Sequence, residues 1–162
     1  MKSEKGFSLV ELLVVVIIIA IVAAIAIPNL LASRRAANEA SAISSLRTIH
    51  SAESTFLATL GNNTDYGDLA ALSAVAAPNT AGLIDTALGS GQKSGYNFDI
   101  TVDPAVDQVY CATADPISPG TTGSRSFGVS QAGVIYSTTA TATPPSVACD
   151  AAGVITGATP IQ

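Results

Sequence analysis

The chain contains no tryptophan, one histidine, one methionine and two cysteines in 162 residues. A transition-metal centre draws on several imidazole or thiolate ligands. His50, Cys111 and Cys149 do not supply a set of that kind, so no metal is expected. Glycine-rich phosphate loops and CxxC pairs are absent, as is any carboxylate spacing suited to acid and base work. The reading is therefore of a protein that is not an enzyme and uses no cofactor. Basic residues are few as well: seven lysines and arginines face twelve aspartates and glutamates, for a net charge of −5. That balance argues against a general polyanion-binding surface, and no specific nucleic-acid site is expected.

The chain does have a long apolar run. In "KGFSLVELLVVVIIIAIVAAIAIPNLL", residues 5–31, sixteen consecutive apolar residues extend from Leu12 to Ile27. Counted from Phe7, a helix here would be about 31 Å long, the thickness of a hydrocarbon core. Lys2 and Lys5 precede it and orient the first residues toward the cytoplasm, an asymmetry that Arg34 and Arg35 beyond the run weaken. A cleaved secretory signal with small residues at Ala24 and Ala26 is the plainer reading. The length of the run and Glu11 inside it oppose that reading. An acid costs roughly 2.5 to 3.5 kcal/mol at the centre of a membrane helix, less near an end. A secretory signal gains nothing from carrying one.

Past Pro28, Ala36, Ala40, Ile43, Leu46, Ile49, Ala52, Phe56 and Leu60 recur at spacings of three and four, one face of an amphipathic helix. Arg35, Asn38, Ser45 and Thr48 fall mostly off that face. Pro28 either separates two helices or kinks a single one, and Gly61 with Asn62 and Asn63 marks its end. A linker with one or two short helical turns follows over residues 64–91. Four strands are expected at 95–102, 108–114, 125–131 and 133–139, with Tyr96, Phe98, Ile100 and Val102 on one side of the first and "DPAVD" at 103–107 as a hairpin turn. The stretch after 139, rich in Thr, Ala and Pro, reads as loop tied down at Cys149. An even cysteine count in a translocated chain favours a Cys111–Cys149 bond. His50 reads as a packing or flanking residue. Asp99, Asp103, Asp107 and Asp115 read mostly as solvated turn and edge residues, their spacing unlike a helix-loop-helix calcium loop. Asn62-Asn63-Thr64 matches a glycosylation triplet, a weak signal.

Glu11 needs a cation at similar depth. Lys2 and Lys5 stand at poor helical spacing from it. A cut before Phe7 would create an α-amine at the helix tip, available to Glu11 of the same or a neighbouring molecule. The opening run closely resembles the N-terminal signature of type IV pilins and the related pseudopilins of type II secretion: leader, glycine, phenylalanine, acid and proline stand in register. The resemblance implies a leader of residues 1–6, removed by a membrane prepilin peptidase between Gly6 and Phe7, with N-methylation of Phe7. It gives Glu11 the part of neutralising a neighbour's terminal amine during filament assembly, and it implies loosened helix around Pro28.

The fold implied is α+β, the type IV pilin fold. Residues 7–29 form the transmembrane and assembly half of a long helix and 30–60 its amphipathic half. A globular region over 61–162 carries an antiparallel sheet of about four strands and a loop closed by Cys111 and Cys149. Weaker likeness to type IVa-like pilins continues through "TFLATLGNNTDYGDLAAL", "GQKSGYNFDITV" and "SRSFGVSQAGVIYST". The function implied is that of a major pilin in a surface filament used for adhesion, twitching motility or DNA uptake. The major pseudopilin of a type II secretion system is the alternative, and a monomeric membrane-anchored binding module is a third reading from another class. Expected partners are copies of the chain in a helical filament, the inner membrane, the peptidase, the assembly platform and minor pilins. The expected location is the bacterial inner membrane, with the globular region outside the cytoplasm, and then the surface pilus.

Overall fold

The structure, a computed structural model, describes residues 6, 8–61, 64–74, 82–102, 109–139, 147–149 and 153–161. Two compact units, Met1–Arg34 and Arg35–Gln162, divide the chain. One helix, α1 (Leu9–Thr59), runs through Pro28, so of the two readings of that proline the single helix holds.

In the first unit, sixteen large apolar side chains from Leu9 to Leu31 are 48–78% exposed. Pro28 has no N–H to give the preceding turn. Next to it the Asn29 side-chain amide donates to the Ile25 carbonyl at 3.1 Å, and Ser33 Oγ donates to the Asn29 carbonyl at 3.0 Å. Side-chain groups thus supplement the backbone ladder beside the residue that interrupts it.

The second unit packs the distal part of α1 on an antiparallel sheet. Short helices α2 (Leu69–Ser73) and α3 (Thr86–Gly89) follow α1, as the linker reading expected. Asp68 and Asp85 cap them, each accepting a backbone N–H three residues on, at 2.7 and 2.8 Å. The sheet comprises β1 (Gln92–Lys93), β2 (Tyr96–Val102), β3 (Tyr110–Pro116), β4 (Arg125–Ser130), β5 (Ile135–Thr139) and β8 (Thr159–Pro160), side by side in that order. The four expected strands are its centre, and two-residue edge strands extend it to six. Strands β6 (Ala148–Cys149) and β7 (Ile155–Thr156) form a separate pair. The tail expected as loop therefore contains three short strands. Threonine and β-branched residues suit edge pairing, while alanine and proline masked that signal. Residues 62, 63, 103–108 and 140–146, which include the two asparagines of the glycosylation triplet, the hairpin turn, Asp103 and Asp107, lie outside the described residues.

Alternation on β2 buries Tyr96, Phe98 and Ile100 against the helix and leaves Asn97 and Asp99 outward. Tyr110, Ala112, Ala114, Phe127, Val129 and Ile135 complete that face, opposite Ala42, Leu46, Ile49, Ala52 and Phe56 of α1. The helical stripe differs from the one expected. Ala36, Ala40 and Leu60 are exposed, whereas Glu39, Ser45 and Glu53 are buried. The sheet offers polar partners at the stripe's upper end, and these outweigh the small gain from covering an alanine.

Candidate functional site

The helix tip is built from Gly6, Ser8 and Glu11. Gly6 is exposed, and Phe7 lies outside the described residues. The Ser8 carbonyl accepts the first helical bond, from Leu12 N at 3.2 Å. Glu11 turns back so that its Oε2 accepts the Ser8 backbone N–H at 3.1 Å. This is one half of a capping box, with serine at the cap and glutamate three residues on. The carboxylate also sits where the helix dipole favours negative charge, by about 0.3 to 1 kcal/mol. The spacing Ser8-x-x-Glu11 before an apolar run is the sequence signal of this cap, and it gives Glu11 a neutral donor in place of the expected cation. Glu11 therefore has a partner within its own chain, though a neutral one.

Around this tip the surface is apolar on every side. Within α1 an 18-residue window has mean hydropathy 3.3, and none of it is buried. By length and composition the helix can cross a membrane, and it is consistent with membrane anchoring. Covering the remaining half of each exposed side chain is worth about 1 kcal/mol, so the run as a whole gains well over 10 kcal/mol from lipid or from protein. A single acid costing about 3 kcal/mol does not overturn that. Glu11 alone therefore does not bar the helix from a membrane.

In the second unit, polar side chains of α1 hold the segment before β4. Arg35 Nη1 donates to the Gly120 carbonyl at 3.1 Å and Asn38 Nδ2 to the Thr122 carbonyl at 2.9 Å. Glu39 Oε1 accepts Ser124 N and Oγ at 2.9 and 2.7 Å, and Oε2 accepts Arg125 Nε and Nη2 at 2.9 and 2.8 Å. Burial raises the Glu39 pKa, yet the Ser124 bonds and the Arg125 guanidinium outweigh it and hold the carboxyl below its ordinary value. Arg125 also lies over the Phe127 ring, 5.3 Å from its centroid.

His50 Nδ1 and the Tyr110 hydroxyl are 2.6 Å apart, which makes His50 a satisfied packing residue. Asp99 is exposed on β2, but Asp115 departs from the solvated reading. It is half-buried on β3, and burial raises its carboxyl pKa against the lowering effect of Ser126. Among the described residues, no group of three His, Cys, Asp or Glu is placed to hold a metal ion.

Cys111 is buried on the outer face of the sheet with Val147 and Ile155, and Tyr136 and Ala158 pack on that cluster. In β6, Cys149 pairs with Ile155 of β7. Gly128 of β4 lets this flap come close, because a Cβ there would lie 2.7 Å from Val147 Cγ1.

Comparison with curated proteins and with solved structures finds no match. Residues 1–27 match the family model of the prokaryotic N-terminal methylation motif. The chain thus carries at its N-terminus the signal motif shared by type IV pilins and pseudopilins, which supports a pilin-like or pseudopilin-like protein.

Proposed function

We propose that the chain is the structural subunit, a major pilin, of a type IV pilus. A membrane peptidase cuts it between Gly6 and Phe7, the new Phe7 amine is N-methylated, and subunits leave the inner membrane to pack their apolar helices in a filament core. The observation that carries this reading is an apolar helix surface with one carboxylate, Glu11, the fifth residue after the cut site. Lipid covers such a surface, and so do copies of the same helix. The Phe7 amine of a neighbour, offset by about one turn, supplies the cation that Ser8 does not.

The other assignments follow from this one. The segment around Pro28, short of one backbone bond, loosens when helices pack. A Cys111–Cys149 bond closes the loop on the outer face, and that surface serves adhesion, twitching motility or DNA uptake. In this account the globular region starts outside the cytoplasm and ends on the pilus surface. Its partners are other copies, the peptidase, the assembly platform and minor pilins.

The motif is shared with pseudopilins, so a type II secretion pseudopilus is the second reading. The cysteine pair favours the pilin. Mass spectrometry and electron microscopy of sheared surface material test the proposal. The expected result is a bulk fibre protein beginning at N-methylated Phe7. Fibres of chains with an intact Met1 terminus would refute the cleavage, and surface material without this chain would move the assignment to the secretion system.

A further inference from the structure

Glu53 is the second acid on the buried stripe of α1, with none of its surface exposed. Its Oε2 accepts the Gly67 backbone N–H at 3.0 Å, and its Oε1 has no hydrogen-bond partner. Leaving a charged oxygen buried without a donor is costly. Gly67 packs closely against the Phe56 ring, where a Cβ would sit 3.3 Å from Cε1 and Cζ. Among the described residues, the titratable groups that interact with Glu53 are Tyr66 and Asp68 on the covering segment and Tyr110 on β3, and His50, one turn earlier on α1, reaches Tyr110. His50 is engaged by Tyr110, and the Tyr66 and Tyr110 rings meet edge-on at 4.7 Å. Neither lysine nor arginine is among them. A cleft of about 460 Å³ borders the segment, lined by Phe56 and Leu60 of the helix end, by Asp65, Tyr66 and Gly67 of the segment itself, and by Val102.

We propose that residues 64–68 form a pH-sensitive latch on α1, closed while the Glu53 carboxyl holds its proton and lifting off Phe56 once it ionises. Burial, reinforced by Asp68 and only partly offset by the Gly67 N–H, pushes the Glu53 pKa up to about 7. The switch therefore falls near neutrality. A carboxyl that reaches water in the open state ionises near 4.5, so opening becomes easier throughout the interval between the two values.

Amide hydrogen exchange on the full mature chain in detergent micelles tests the latch, comparing Gly67 with Ala112 in the centre of the sheet. Between pH 5.5 and 8, after correction for intrinsic exchange, Gly67 protection is expected to fall relative to Ala112 by a factor on the order of 10 to 30. In Glu53→Gln the ratio is expected to stay flat. A constant ratio in the wild type overturns the proposal, and so does an equal fall in the variant. Should the variant not fold, the Glu53 carboxyl carbon shift is titrated in the wild type. A midpoint shared with the exchange ratio supports the latch, and a different midpoint refutes it.

Discussion

Glu39 Oε2 accepts two hydrogen bonds from Arg125, from Nε and Nη2 at 2.9 and 2.8 Å, which ties the stem of α1 to the start of β4. The glutamate side chain is 10% exposed and the arginine 44%, so one partner is desolvated while the other still meets water. The pair is worth less than a fully buried one, where removing a partner costs 3 to 5 kcal/mol. Glu39→Gln is expected to destabilise the protein by about 2 kcal/mol at pH 7. The Glu39 pKa is depressed in the folded state, so its contribution is present above the unfolded value and disappears as pH falls through the folded one. Urea unfolding of both proteins at pH 7 and pH 3 checks this. An equal cost at the two values would show that charge has no part in the contact.

Gly128→Ala places a methyl group 2.7 Å from Val147 Cγ1. The flap of β6 and β7 must shift outward, at an expected cost of about 1 to 3 kcal/mol. Thermal unfolding measures the loss, and amide exchange at Ile155 localises it. Unchanged protection at Ile155 would mean that the flap accommodates the methyl group without moving.

Under the filament reading, Glu11→Gln separates capping from charge. The amide oxygen still accepts the Ser8 N–H, so the helix is expected to begin at the same residue in micelles, while fibres are lost and monomer stays in the membrane. Normal fibre yield from this variant would remove Glu11 from assembly.

A Cys111–Cys149 bond would close a loop with thirty-seven residues between its ends. Cys149→Ser is expected to lower stability by about 4 kcal/mol on the chain-entropy account. Peptide mapping without reductant checks the bond itself, and a free thiol at Cys111 in the native protein would refute it.

The architecture was legible wherever one period dominated. Uniform apolarity over residues 12–27 and alternation at Tyr96, Phe98 and Ile100 left little room for another reading. The buried stripe was harder to read. Positions 39, 42, 46, 49, 53 and 56 follow a clean three-four spacing, but only if two glutamates are admitted to it. A reading that admits apolar residues alone selects Ala36, Ala40 and Leu60 instead. What makes Glu39 a core residue is Arg125, eighty-six positions away, and no local pattern contains that fact. The short strands β6, β7 and β8 were hidden for a related reason, since two-residue pairings are set by the partner they meet and not by their own propensity.

The glutamates on that stripe bear on how the chain is made. During synthesis, before any sheet exists to receive it, the distal stretch of α1 is an alanine-rich helix following directly on a lipid-soluble one. An apolar buried face would lower the cost of moving that stretch from water into a bilayer. Glu39 and Glu53 each add roughly 2.5 to 3.5 kcal/mol to that transfer at the centre of a helix. With Arg34, Arg35 and Arg47 around them, they make the stem of α1 a segment that a bilayer rejects, in contrast to the run before it.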